Sequence, residues 1–230
     1  MGETVEFTSN GSIASGYLAK PAGGSGPGVV VVQEWWGLDA SIRETADRVA
    51  AGGFVALAPD LYHGQLAGHD EMDKAAQLMT SLPPDRAARD MSGAVDYLAA
   101  HDSVRGDGIG VVGFCMGGML ALILAANRGD KVKAVVPFYG FPSGDMEPDW
   151  SGLAASVRAH CAENDDFFGP DTARALEQKL QGMGKDATFT IHPGTGHAFM
   201  GPHNALGTLN EKLAAEIWPD VLSFLHDQLG

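Results

Sequence analysis

The chain has 230 residues, 29 acidic against 15 basic, for a formal charge of −14, a balance that argues against a phosphate backbone as partner. At 45% hydrophobic and 19% charged, it lies outside the composition of disordered chains, and one domain over residues 1–230 is long enough to bury a core without disulfides or a metal staple. Its two cysteines, Cys115 and Cys161, stand in neither a zinc nor a disulfide-scaffold spacing, and no apolar run reaches the roughly 18 to 20 residues of a membrane span, so a reduced, cytoplasmic setting with no membrane partner is expected.

The first element in chain order reads as a hairpin. Val5 and Phe7 alternate with polar neighbours, Asn10-Gly11 supplies a tight turn, and Ile13, Ser15 and Tyr17 resume the alternation, which predicts two antiparallel strands. A loop over residues 21–27 leads into Val29-Val30-Val31-Val32, an unbroken apolar run of the kind that is covered on both faces of a parallel sheet. Ser41-Ile42-Arg43-Glu44 reads as a capping box, with Ile42, Ala46 and Val49 at helical spacing and Gly52-Gly53 as the stop. A strand at 54–58 ends on Pro59-Asp60. Helices follow at 72–79 and 85–100, a strand at 109–112, a helix after Gly117 and a strand at 132–138. The alternation continues with a strand at 156–160, a helix at 171–181, a strand at 188–192 and a last helix ending near Leu229. This pattern predicts an α/β fold with a mostly parallel central sheet, helices on both faces and the hairpin as an antiparallel edge. Ligands bind such sheets at the carboxyl ends of the strands.

One strand end carries Gly113-Phe114-Cys115-Met116-Gly117-Gly118, a Gly-x-Cys-x-Gly elbow running into an apolar helix. Glycines are needed there because so sharp a strand-to-helix turn presses its neighbours onto backbone, and the turn sets the thiol at a helix N-terminus, which favours thiolate. Taken alone, Cys115 also reads as a small buried residue in a Gly-rich turn. Its partners come from the two later strand ends, Cys161-Ala162-Glu163-Asn164-Asp165-Asp166 and Pro193-Gly194-Thr195-Gly196-His197-Ala198-Phe199. Nucleophile, acid and histidine in that order, each after a successive strand, is how α/β-hydrolases assemble a triad. Cys115 is then the nucleophile, His197 the general base and Asp165 the residue that orients it, with Asp166 as the rival acid. Gln33-Glu34-Trp35-Trp36-Gly37, after the first core strand, is the loop that supplies an oxyanion-hole amide, so the backbone N–H groups of Trp35 and Met116 are the expected donors. Glu34 puts a carboxylate beside the thiol, where it disfavours thiolate and can keep the resting cysteine protonated.

These residues resemble the dienelactone hydrolase family of α/β-hydrolases. The matching motifs are Gln33-Glu34-x-x-Gly37, Arg43-Glu44-Thr45, Pro59-Asp60-Leu61-Tyr62, Gly113-x-Cys115-x-Gly117-Gly118, Phe138-Tyr139-Gly140, Asp165 and Gly196-His197-x-Phe199, in family order through nearly the whole chain. The resemblance implies an α/β-hydrolase fold, Cys115, Asp165 and His197 as a triad, and Glu34 as the residue controlling thiol ionisation. It also implies attack on a lactone or small ester through a thioester acyl-enzyme, with no metal or organic cofactor. Members that open dienelactones hold the substrate carboxylate with arginines. The corresponding stretches here, Glu71-Met72-Asp73-Lys74-Ala75 and Phe199-Met200-Gly201-Pro202, contain none, and Lys74 is the cation in their place. With the surplus acid, this shifts the expected substrate away from an anionic dienelactone.

Trp35, Trp36, Tyr139, Phe167 and Phe199 are the expected aromatic pocket walls. His192, His197 and His203 are not spaced as a metal cage, and His63 and His69 read as surface-loop residues. Two other functions compete: a general carboxylesterase or thioesterase with an apolar pocket, and a non-catalytic redox-sensing thiol protein, against which His197 and the oxyanion loop speak. A monomer or weak homodimer acting on a small-molecule ester or lactone completes the expectation.

Overall fold

The computed structural model describes residues 2–230. Its eight strands are β1 (Glu3–Ser9), β2 (Ser12–Ala19), β3 (Gly26–Val32), β4 (Val55–Pro59), β5 (Val104–Phe114), β6 (Val132–Phe138), β7 (Ser156–Asn164) and β8 (Ala187–Gly196). They form one sheet in the order β1-β2-β4-β3-β5-β6-β7-β8. β1 and β2 pair antiparallel, as do β2 and β4, while every other pairing is parallel. The helices are α1 (Ala40–Ala51), α2 (Met72–Ser81), α3 (Pro84–Ala100), α4 (Met116–Asn127), α5 (Pro170–Gly182) and α6 (Glu211–Leu229), with short 3-10 turns at Gly144–Met146 and Trp150–Gly152.

The valine run shows how the two layers arise. Successive strand residues point to opposite faces, so Val30 and Val32 join Met91, Val95 and Leu98 of α3 and Leu122 of α4. Val29 and Val31 join Ile42 and Val49 of α1 and Val221 and Leu225 of α6 on the other face. The register carries this across the sheet, with Val31 opposite Val112 and Val112 opposite Val136. Each such side chain taken from water contributes on the order of 1.5–3 kcal/mol.

The element boundaries differ from the sequence reading where polar contacts decide them. Asp39, not Ser41, caps α1: its Oδ1 accepts the Ile42 N–H at 2.9 Å, which starts the helix at Ala40. β3 takes in Gly26 of the expected loop because the Gly26 amide bonds the Ser103 carbonyl. β5 starts at Val104 through an exposed stretch that hydrophobicity cannot reveal. β7 and β8 run on to a pairing of Asn164 with Gly196 beyond a register shift. This lengthening carries the backbone directly to Asp165 and His197.

Candidate active site

Between β5 and α4 the chain turns at Cys115, with φ 53° and ψ −121°. A non-glycine residue held there costs roughly 1–3 kcal/mol, and the surroundings enforce it. The Cys115 N–H donates to the Phe138 carbonyl at 3.0 Å, and the Cys115 carbonyl accepts from Gly118 N–H at 2.9 Å. A Cβ on Gly113 would fall onto the Gly117 carbonyl, and one on Gly117 onto the Gln33 and Val32 carbonyls. The two glycines therefore let three backbone segments converge on one turn.

His197 follows β8 and reaches both expected partners. Its Nε2 lies 3.1 Å from Cys115 Sγ and its Nδ1 2.8 Å from Asp165 Oδ2. Asp165 is buried, and its Oδ1 accepts the Phe167 and Phe168 amides at 2.9 Å each, while Asp166 is exposed. The polypeptide thus provides an asymmetric carboxylate, one oxygen locked by backbone and the other turned to the imidazole. A neutral ring donating from Nδ1 to Asp165 presents its Nε2 lone pair to the thiol. The ring is enclosed by Tyr139 edge-on at 5.2 Å and by Phe167 and Phe168 at 4.9 and 5.8 Å between centroids. Thr208 Oγ1 donates to the His197 carbonyl and ties down the loop beyond it.

Glu34, buried after β3, bonds neither the thiol nor His197. Its Oε1 accepts from the Tyr139 hydroxyl at 3.4 Å, and its Oε2 is 2.7 Å from His203 Nε2. Its charge still reaches the sulfur. Burial first, then the Glu34 charge, then that of Asp165 push the Cys115 thiol well above its ordinary pKa, opposed by a bond from the Met116 amide. These influences favour the neutral thiol over the thiolate at rest. Tyr139 is likewise pushed up by burial and by the charges of Glu34 and Cys115.

Cys115, His197 and Glu34 face a cavity of about 330 Å³. Trp35, Trp36, Met116 and the largely exposed Phe167 line it, together with Phe168, Met79, Met119, Met146, Leu206 and His203, none of which the sequence reading picked out as pocket residues. Tyr139 and Phe199 are not part of this wall. Phe199 is fully buried and packs edge-on against Tyr139. Tyr139 instead borders a second cavity of about 300 Å³ behind Glu34, with Glu44, Arg48 and Glu211. Lys74 is half-exposed, bonds Glu71 at 3.2 Å and does not line the catalytic-side cavity. Among the described residues, no lysine or arginine lines this cavity.

The histidines outside the relay are also partnered. His69 pairs with Asp39 at 2.7 Å and stacks on His203, and His63 pairs with the buried Asp90 at 2.8 Å, so neither is a free surface-loop side chain. For His203, burial lowers the pKa, but the Glu34 bond and the charges of Glu34 and Asp39 raise it by more. The Ala205 N–H directed at its Nδ1 at 3.1 Å opposes that rise, since an imidazolium has no lone pair to receive it. Among the described residues no group of three or more His, Cys, Asp or Glu side chains is arranged to hold a metal ion, and no helix is long and apolar enough to cross a membrane.

Comparison with known proteins points to one family. The dienelactone hydrolase family profile matches residues 14–229. The protein usf of Aquifex pyrophilus is 37% identical over 206 residues, covering 87% of each chain. Carboxymethylenebutenolidase 1 of Cupriavidus pinatubonensis is 30% identical over 210 residues, covering 86% of each. A solved structure named m3DLH superposes with a TM-score of 0.87 at 28% identity, covering 100% of this chain and 99% of its own.

Proposed function

The chain belongs to the dienelactone hydrolase family and is a carboxylic ester hydrolase, and from that premise we propose that it cleaves neutral esters or lactones through a Cys115-His197-Asp165 triad. The observation that carries the proposal is the relay from Asp165 Oδ2 through His197 to Cys115 Sγ, 2.8 and 3.1 Å, opening on an apolar cavity.

In the first half-reaction His197 Nε2 takes the Cys115 proton as sulfur bonds to the carbonyl carbon, and Asp165 stabilises the imidazolium. The backbone N–H groups of Trp35 and Met116 receive the negative oxygen. On collapse the C–O bond breaks, and His197 returns its proton to the departing oxygen. A thioester remains. In the second half-reaction His197 removes a proton from water, and the resulting hydroxide attacks the thioester. The C–S bond breaks, Cys115 regains the proton, and the acid leaves. Because burial and the Glu34 charge favour the neutral thiol, its ionisation is coupled to substrate attack.

Neutral substrates are favoured because, among the described residues, no arginine or lysine lines the cavity, and Lys74 bonds Glu71 instead. The specific reading is a carboxylesterase with an apolar acyl pocket, formed by Trp35, Phe168 and four methionines, rather than an enzyme selective for a carboxylated dienelactone. A panel comparing nitrophenyl acetate, neutral lactones and a carboxylated dienelactone tests it. Neutral substrates are expected to show the higher kcat/KM; a preference for the dienelactone would refute the substrate class while leaving the triad in place.

A further inference from the structure

The pair formed by Glu34 and His203 lies in the wall of the catalytic-side cavity with side chains only 7% and 3% exposed. His203 comes from the loop after His197, and its orientation is fixed on every side. The Ala205 N–H donates to Nδ1, so the neutral ring carries its proton on Nε2, facing Glu34 Oε2 at 2.7 Å. His69 stacks on the ring at 4.3 Å and 27°, and His69 is itself held by Asp39 Oδ2. The other oxygen of Asp39 caps α1. Trp36 stands edge-on to both imidazoles. A helix cap, two histidines and a tryptophan thus form a rigid backing for one N–H···O bond.

We propose that His203 is a positioning residue that holds the Glu34 carboxylate turned away from Cys115, so that the thiol's proton passes to His197 rather than being retained in a bond to Glu34. The inference rests on the role of Glu34 in thiol ionisation given above and adds the residue that governs it. The groups facing the pair are Tyr139 from the end of β6, Asp39 and His69 from the loops around α1 and α2, and Cys115 and His197 across the cavity; Glu44, Arg48 and Glu211 border the cavity behind Glu34. Of these Tyr139 is the one other donor to Glu34, at the longer distance of 3.4 Å. Loss of His203 therefore leaves the Glu34 carboxylate with the long Tyr139 bond, on a cavity wall that it shares with Cys115.

The test is the pH profile of iodoacetamide alkylation of Cys115, read by peptide mass spectrometry in the full chain. H203L is expected to slow alkylation at pH 7.5 by about tenfold, equivalent to an apparent thiol pKa about one unit higher. H203Q, whose amide N–H can reach the same oxygen, is expected to stay within about threefold of wild type. On an E34Q background H203L is expected to change the rate by less than about twofold, because its effect passes through Glu34. Wild-type alkylation in H203L, or a slowing that persists undiminished beside E34Q, overturns the assignment. An E34Q profile identical to wild type removes Glu34 from thiol ionisation and with it the underlying reading; an altered E34Q profile with H203L unchanged removes His203 alone. If H203L does not fold, H203N, too short to reach Glu34, takes its place under the same criteria.

Discussion

Cys115 and Cys161 carry the same group in two different parts of the interior. Burial, followed by the charges of Asp165 and Glu177, pushes Cys161 up to about 12; burial and the charge of Glu34 push Cys115 up as well. Ionisation of the resting thiol therefore does not distinguish them. Cys161 lies within β7, 1% exposed and opposite Ile191 of β8, and among the described residues no histidine bonds its sulfur. Cys115 stands on a strained turn with His197 Nε2 at 3.1 Å and a cavity in front. Reactivity follows from an adjacent base and an open approach.

The contrast is broken or sharpened first by removing the partners. Cys115→Ala and His197→Ala are each expected to lower kcat for nitrophenyl acetate by about a thousandfold to ten-thousandfold with the far-ultraviolet circular dichroism unchanged, whereas Cys161→Ala should retain turnover within about twofold. Equal losses at both cysteines would remove the distinction. Asp165→Asn comes next, with an expected fall of about a hundredfold to a thousandfold in kcat and little change in KM, because an amide can donate to Nδ1 and favour the wrong tautomer. Native alkylation should then mark Cys115 about a hundredfold faster than Cys161, a difference that vanishes in urea.

The smallest expected effect concerns the stretch that holds Cys161. Its neighbour His160 bonds His192 at 3.0 Å, and burial, then the His192 charge, lowers His160 to about 3. In the unfolded chain such a histidine takes a proton near pH 6.5. Between that value and about 3, the unfolded state binds the extra proton, so stability rises with pH through this window and is lost as pH falls. Urea titrations should show up to about 1.4 kcal/mol per pH unit from this group, and His160→Gln should flatten that part of the profile. An unchanged slope would mean that His160 is already charged in the fold.

Where chemistry was written in contiguous residues, the sequence was legible. The valines of β3 announced a strand covered twice, and Gly113 and Gly117 announced a turn with no room for side chains. Asp165 and His197 were legible because each follows its own strand. Glu34 was recognisable from its motif, but its partner was not: His203 lies far along the chain, on a loop without periodicity, and only folding brings it to 2.7 Å. Asp39 was hidden by the capping-box pattern that begins two residues further on, at Ser41, inside the helix that Asp39 caps. The methionines of the cavity come from α2, α4 and a 3-10 turn, where each alone resembles ordinary core.

The elbow has a consequence for interchangeability. What fixes the backbone at position 115 is main chain: the positive φ, the amide on the Phe138 carbonyl, and the clearance over Gly113 and Gly117. None of it touches sulfur. An oxygen nucleophile would be carried there in the same pose, so the scaffold and the reactive atom can be exchanged independently. What favours sulfur is the company it keeps, because the Glu34 charge weighs more heavily on an alkoxide than on a thiolate.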